Sequence, residues 1–357
     1  MLRDSVYADP LTQKGYRADK MPSKSMSKTS MTPRTILFIS KGEDSASTRY
    51  RAFTYFPYLR NAGWRARHLT ASRGPVQRLK ILLCARHADV VVIVRKTLSP
   101  LFLRLLRSVS RRIVFDFDDA IFVRSNGQPS KRREQGFRRT MTACNAVWAG
   151  NSYLADAAGR LNGHVSLLPT SIQPEKYDIE VDKPQGHVDL VWIGSHSTRK
   201  YLVEAMPALE ELAHRHPELR LKIIADFDLE TVHLNTMPIT WSEAGEAEEL
   251  ATSHIGIAPM PDNLWTRGKC ALKILQYMAA GLPVVASPAG INKDVVRDGE
   301  TGFLAETETQ WNDHLENLIG DASLRKRLGI NGRKRVLEDY SESATAAKML
   351  VDLERLS

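Results

Sequence analysis

Two lysines, Lys269 and Lys273, stand one helical turn apart just after Gly268 in the run Trp265-Thr-Arg-Gly-Lys-Cys-Ala-Leu-Lys273. If a glycine loop opens a helix over Lys269–Ala280, free N–H groups and two cations converge on one point, where an anionic phosphate is the natural ligand. Solvated lysines on an ordinary helix are the plainer reading. A second place of this kind is Trp192-Ile-Gly-Ser-His-Ser-Thr-Arg-Lys-Tyr201. Gly194 permits close backbone approach, Ser195, Ser197 and Thr198 supply hydroxyls, and Arg199 stands at a helix start with its own free N–H groups. A capped strand-to-helix turn would look the same. Carboxylates gather once, where Ile113-Val-Phe-Asp-Phe-Asp-Asp119 ends a buried strand with Asp116, Asp118 and Asp119. In a parallel sheet that end of a strand faces the ligand crevice. Arg49 and Arg51 follow the first strand in Ser45-Ala-Ser-Thr-Arg-Tyr-Arg51, able to grip an anion bidentately or to lie solvated at a helix start.

The elements that must position these groups follow from the pattern of apolar runs. The chain has 357 residues, 43% of them apolar, enough for two cores of ordinary size. Short β-type runs at Thr35–Ile39, Val90–Val94, Ile113–Phe117 and Ala146–Ala149 alternate with helical stretches at Thr48–Ala62, Pro100–Arg112 and Ser152–Leu161. That alternation predicts a parallel sheet covered on both faces. After a polar stretch around Pro174, Asp182 and Pro184 it restarts, with strands at Leu190–Ile193, Leu221–Ala225, Ile255–Pro259 and Val284–Ala286. The expected division is a flexible basic tail 1–34, a first α/β domain 35–175, a second 176–340, and a closing helix 341–357 capped by Ser341.

Charge divides with the domains. The tail carries +4, residues 35–180 carry +13, and residues 181–357 carry −8, giving +9 for the chain. Arg104, Arg107 and Arg111 share one side of a helix, and Lys131, Arg132, Arg133, Arg138 and Arg139 add to them. Such a face suits an anionic membrane, where each cation near the surface contributes about 1 kcal/mol. Nucleic acid is not the expected partner, because only Phe102 and Phe137 interleave with these cations; solvated faces are the other reading. Cys84, Cys144 and Cys270 are isolated and odd in number, which points to a reducing compartment and against structural zinc. No apolar run approaches the roughly 20 residues that span a bilayer, and the first 30 residues lack the apolar segment of a secretory signal. A cytoplasmic protein, working at the inner face of the cytoplasmic membrane, is expected.

The run Lys273-Ile-Leu-Gln-Tyr-Met-Ala-Ala-Gly-Leu-Pro-Val-Val-Ala-Ser287, followed by Asp298-Gly-Glu-Thr-Gly-Phe-Leu304, resembles the C-terminal donor-binding motif of family-four glycosyltransferases of the GT-B fold. Ile255-Gly-Ile-Ala-Pro-Met260 before it, and Leu328-Gly-Ile-Asn-Gly-Arg-Lys-Arg-Val336 with Tyr340-Ser341 after it, extend the likeness. The resemblance implies an α/β protein of two facing Rossmann-like domains, with the C-terminal helix returning to the first. It also implies transfer of a sugar from a nucleoside diphosphate donor to a hydroxyl of a cell-envelope glycan or lipid-linked acceptor, with retention at the sugar.

The family's motif has two glutamates eight positions apart, and here Gly268 and Gln276 stand in their places. The chain therefore resembles a divergent branch lacking both acids. Gln276 can still hydrogen-bond ribose hydroxyls, while Gly268 offers only backbone. Lys269 and Lys273 would take the donor phosphates together with Arg199 and the Gly194 loop, Lys273 acting catalytically on the leaving diphosphate. Trp241 lies where the family places the nucleobase; otherwise it is a half-buried strand aromatic. Asp118 and Asp119 are expected on the acceptor side, orienting a hydroxyl or acting as base. Arg49, Arg51 and Asp116 are expected beside them, toward the diphosphate or an anionic acceptor; a capping aspartate cluster without chemistry is the alternative. The Asp-x-Asp pattern also fits a divalent cation, but the lysines provide that charge and the fold is a metal-independent one. No metal or cofactor is expected, the nucleotide sugar being a co-substrate. A nucleotide-sugar epimerase of similar fold and a non-catalytic nucleotide-sugar or nucleic-acid binding protein are the rival classes.

Overall fold

A run such as Val90–Val94 has no polar side chain to offer solvent on either face, so it is stable only in a sheet covered on both sides. The computed structural model, which describes residues 33–72 and 74–356, builds two such sheets. The first contains β1 (Arg34–Ser40), β2 (Trp64–Thr70), β3 (Val90–Val94), β4 (Ile113–Phe117), β5 (Ala146–Ala149) and β6 (Val165–Leu167), in the order β2-β1-β3-β4-β5-β6. The second contains β7 (Val188–Ile193), β8 (Leu219–Ala225), β9 (Asn235–Thr240), β10 (Ile255–Ala258), β11 (Val284–Ala286) and β12 (Gly302–Leu304), in the order β12-β11-β10-β7-β8-β9. Every pairing is parallel. Strand order reverses between β1 and β3 and again between β7 and β10, and each reversal opens a crevice beyond the strands' C-terminal ends.

The expected tail lies outside the described residues except for Pro33 and Arg34, and Arg34 already opens β1. The segment predicted as one helix over Thr48–Ala62 is broken into helix Ala46–Arg51, a 3-10 turn Phe53–Tyr55 and helix Phe56–Asn61. Pro57 brings no N–H to bond the carbonyl four residues before it, and Ala52 leaves helical geometry at φ −133°. The helix expected from Lys269 begins only at Leu272, because Ala271 adopts a left-handed conformation at φ 54° and Lys269 is extended.

The last helix, Glu342–Leu356, returns to the first domain as expected. Ala346, Met349 and Leu353 join Ile36, Phe38 and Tyr55 in its core, and Ser341 Oγ accepts the Ala344 N–H at 3.2 Å as the cap. The chain thus crosses between domains twice, and the crossings are bonded to each other: the Ile172 N–H donates to Tyr340 O (3.1 Å) and the Glu342 N–H to Ile172 O (3.0 Å).

The first crossing is anchored by Arg51. Its guanidinium forms a fork with the Asp116 carboxylate, Nε to Oδ2 at 3.0 Å and Nη2 to Oδ1, while Nη1 donates to Leu168 O (2.8 Å) and Pro169 O (3.1 Å). Both side chains are buried. This corrects the expectation that Arg51 and Asp116 face an anionic ligand: each neutralises the other inside the protein. Removing one partner of such a pair strands a buried charge, which costs about 3–5 kcal/mol. Arg51→Ala and Asp116→Ala should each lower unfolding stability by about that amount in denaturant titrations; a loss within experimental error would remove the pair from the anchoring role.

Candidate active site

The loops that leave β1, β3 and β4 face those that leave β7 and β10, and between them lies a cavity of about 260 Å³. Ser47, Tyr50, Arg95, Asp118 and Asp119 line it from the first domain; Thr198, Pro259, Lys269, Lys273 and Asn292 line it from the second. Both crevices therefore open into one space.

Lys273 is the second residue of helix Leu272–Ala279, whose N-terminus no side chain caps. The first-turn N–H groups and the ammonium share the cavity wall, an arrangement suited to an anion. Lys273 Nζ sits 4.3 Å from the centroid of the Trp192 ring, and that ring fills the space where a Cβ on Gly194 would lie, 2.0 Å from its nearest atom. The glycine is thus needed for the aromatic floor beneath the lysine. Burial, reinforced by the charge of Lys269, pulls the Lys273 ammonium down to about 7.

Across the cavity, the two aspartates have separate tasks. Asp119 is buried and uses both oxygens on cations, Oδ1 accepting from Lys269 Nζ at 2.9 Å and Oδ2 pairing with Arg95. Asp118 is half-buried, with Oδ1 3.1 Å from Arg95 Nε. Arg95 adopts a left-handed backbone at φ 53°, a strained conformation for a residue with a side chain. Lys269 also lies 4.5 Å from the centroid of the Trp265 ring, and burial, with Arg95 nearby, lowers its pKa.

Gln276 and Trp241 are brought together by a residue that sequence reasoning missed. Glu246, buried at the start of helix Glu246–Ala251, accepts from Gln276 Nε2 (2.8 Å), Trp241 Nε1 (2.7 Å) and the Tyr177 hydroxyl (2.6 Å), and Lys176 Nζ lies at 3.3 Å. Tyr50 lines the cavity, and burial with the Glu246 charge raises its hydroxyl to about 12.

Several predicted site residues stand elsewhere. Gly268 does not present its backbone to a ligand: its N–H bonds Trp265 O at 3.1 Å, and a Cβ there would lie 2.5 Å from Ala120 N. Arg199 lies over Phe227 at 5.6 Å and lines a separate surface hollow with Val203 and Asp228. Ser195 and Ser197 bond each other at 2.9 Å, and Thr198 Oγ1 takes the Ser195 N–H at 3.1 Å, so of these hydroxyl residues only Thr198 borders the cavity. Arg49 is half-exposed, 4.0 Å from Glu243 across the domain boundary. Among the missed residues, Arg95 had one readable signal, its place directly after the wholly apolar run Val90–Val94. Asn151 had none; its Nδ2 donates to Arg267 O (3.1 Å) and Lys269 O (2.9 Å), holding the 265–270 segment against the first domain.

Comparison with known proteins bears on the family and the fold. Residues 187–321 match the family described as Glycosyl transferases group 1. The sulfoquinovosyl transferase SQD2 of Arabidopsis thaliana is 28% identical over 165 residues, which cover 43% of this chain and 31% of that protein. The chain spans less than a third of the length of the first curated relatives it matches. Sucrose-phosphate synthase from Thermosynechococcus elongatus superposes with a TM-score of 0.71 at 14% identity, covering 90% of this chain and 99% of that one. Anabaena Alr3699/HepE in complex with UDP-glucose gives a TM-score of 0.67 at 14% identity over 90% and 99% of the two chains. At such identities the likeness establishes the fold, two facing Rossmann-like domains.

The contact at Gly268 carries its own test. A methyl group there meets backbone, which cannot swing aside, so Gly268→Ala should destabilise by about 1–3 kcal/mol, the usual penalty of overpacking. A thermal midpoint equal to that of the parent protein would show that the 265–270 segment does not depend on this close approach.

Proposed function

Because residues 187–321 are a glycosyl transferases group 1 domain and the chain has the GT-B fold, we propose that the protein transfers a sugar from a nucleoside diphosphate donor to a hydroxyl of a cell-envelope glycan or lipid-linked acceptor. The observation that carries this reading is the meeting, in one cavity, of an uncapped helix N-terminus with Lys273 and Lys269 on one wall and the half-buried Asp118 on the other. Lys273 and the first-turn N–H groups stabilise the charge that develops on the leaving diphosphate, an electrostatic contribution that is large when water is excluded. No metal or cofactor is needed for that task. Asp118 orients the acceptor hydroxyl or takes its proton; Asp119, with both oxygens already engaged, holds Lys269 and Arg95 in place. The Glu246, Gln276 and Trp241 cluster lies toward the nucleoside. Retention at the sugar is the outcome implied by the resemblance. The basic first domain collects its acceptor at an anionic membrane, on the cytoplasmic side.

Lys273→Ala should abolish binding of the preferred nucleoside diphosphate in calorimetry, and unchanged affinity would take the residue out of the site. A thermal-shift panel of nucleoside diphosphates and their sugars, UDP-glucose among them, identifies the donor, since a ligand of the native state raises its stability by mass action. The pH dependence has a definite sign. Burial holds the Lys273 ammonium down at about 7, and a bound diphosphate would favour its charged form, so binding takes up a proton. Affinity is therefore greatest below that value and falls as the pH rises through it. Nucleotide sugars keep a constant diphosphate charge across this range, so their Kd should rise roughly tenfold from about pH 6 to about pH 8. Lys273→Arg should flatten that profile; a parent profile already flat would contradict the assignment.

A further inference from the structure

The outer layer of the first domain has a character that contact with water alone does not require. Helices Pro75–His87, Pro100–Val109 and Lys131–Ala143 lie side by side over one face of the first sheet and bury Ile81, Phe102, Leu106 and Phe137 in its core. Their outward faces are not uniformly polar. Val76, Leu79 and Leu83, spaced i, i+3 and i+7 on the first helix, are 81%, 58% and 56% exposed; Leu101 and Leu105, spaced i and i+4 on the second, are 70% and 44% exposed. Isolated exposed leucines are ordinary, but stripes on neighbouring helices make an apolar band.

Charge selects what covers it. The three helices carry ten lysines and arginines and a single carboxylate, Glu134. Lys80, Arg104 and Arg132 are exposed and have no ion-pair partner among the described residues. A second copy docked by the same face would bring these cations against their own kind. Position adds a further constraint. In a parallel sheet each crossover helix starts at the C-terminal end of the preceding strand, where the cleft lies. Val76 and Leu101, the most exposed apolar residues of the band, are the second residues of their helices, and Lys131 and Arg132 open the third. The band therefore begins at the cleft rim.

We propose that this face rests on an anionic lipid bilayer, with the Val76, Leu79, Leu83, Leu101 and Leu105 side chains in the acyl boundary and the arginines and lysines among the headgroup phosphates. The cleft mouth then opens at the bilayer surface. Among the described residues no helix is long and apolar enough to cross a membrane, so the contact is peripheral. The proposal deepens the glycosyltransfer reading by placing a lipid-linked acceptor at the cleft, but lipid binding itself is measured without any sugar donor.

The test is co-sedimentation of the full chain with vesicles of phosphatidylglycerol and phosphatidylcholine in equal parts, and with phosphatidylcholine alone. Binding to the anionic vesicles, weakening as salt is added and reduced at least tenfold in Leu79→Gln/Leu101→Gln, is the expected result. Because those positions are exposed, both variants of the pair should keep the parent's thermal midpoint and nucleoside diphosphate affinity. Arg104→Glu/Arg132→Glu supplies a second route to the same loss, and the indole of Leu101→Trp should shift its emission to the blue on anionic vesicles only. Absence of vesicle binding, equal binding to the neutral vesicles, or full binding by both double variants overturns the proposal. So does a concentration-dependent dimer that dissociates in Leu79→Gln/Leu101→Gln, which would make the band an interface between copies. Failure of nucleotide binding with vesicle binding intact would overturn the donor reading instead.

Discussion

The Arg51 to Asp116 ion pair is the contact on which the first domain's end of the interdomain crossing rests. It joins three pieces that are remote in sequence: the helix after β1, the end of β4, and the first interdomain crossing at Leu168 and Pro169. A guanidinium fully removed from water must have its donors satisfied, and here a carboxylate and two backbone carbonyls do so. The consequence reaches the cavity. Asp116 lies two residues before Asp118, and its carbonyl accepts the Arg95 N–H at 2.8 Å. The position of β4's end is thereby fixed relative to the crossing, and with it the carboxylates that follow β4 and the Arg95 that they hold.

Strain is concentrated on the same walls. The non-glycine residues with left-handed backbones among those described, Arg95 and Ala271, both border the cavity, one from each domain. Such a conformation costs about 1–3 kcal/mol and persists only where the surroundings enforce it. Around Arg95 the enforcement is electrostatic, through Asp118 and Asp119. Around Ala271 it is steric and polar: Gly268 packs on Ala120, Asn151 holds the carbonyls of Arg267 and Lys269, and Cys270 Sγ lies 3.4 Å from Asp118 O. The left-handed turn at Ala271 delays the helix by three residues, which puts Lys273 in the first turn and leaves Lys269 free to reach across to Asp119.

Legibility in the sequence follows burial. Strands buried on both faces, such as β3 and β4, were readable because every residue is apolar or ends at the crevice, and the closing helix was readable from its cap and its apolar spacing. The edge strands β2 and β9, with sequences Trp-Arg-Ala-Arg-His-Leu-Thr and Asn-Thr-Met-Pro-Ile-Thr, carry no apolar run and were not legible. For the site, the lysines could be found because cations after a glycine loop are unusual in an acidic domain. The tie between Gln276 and Trp241 could not, since Glu246 comes from another helix and an acidic segment looks solvated until it is folded. Arg51 and Asp116 were misplaced for a related reason: residue type and strand position are the same for a ligand contact and for a buried pair, and only the partner's position, 65 residues away, distinguishes them.

Asp119 shows how the proposed chemistry and the closed arrangement of domains depend on each other. Its carboxylate is buried and meets two cations, Arg95 of its own domain and Lys269 of the other. Lys269 lines the cavity together with Lys273, so the proposed diphosphate, entering there, would share that ammonium with Asp119. A lysine whose charge is already disfavoured by burial gains from a second anion, so the proposed diphosphate would stabilise the charged ammonium beyond what Asp119 alone supplies. Arg95 stays with Asp119 when the lysine is shared, so the buried carboxylate is never left without a counter-charge. In the proposed reaction one ammonium, held between Asp119 and the diphosphate, would thus link the wall that carries Asp118 to the wall that carries Lys273.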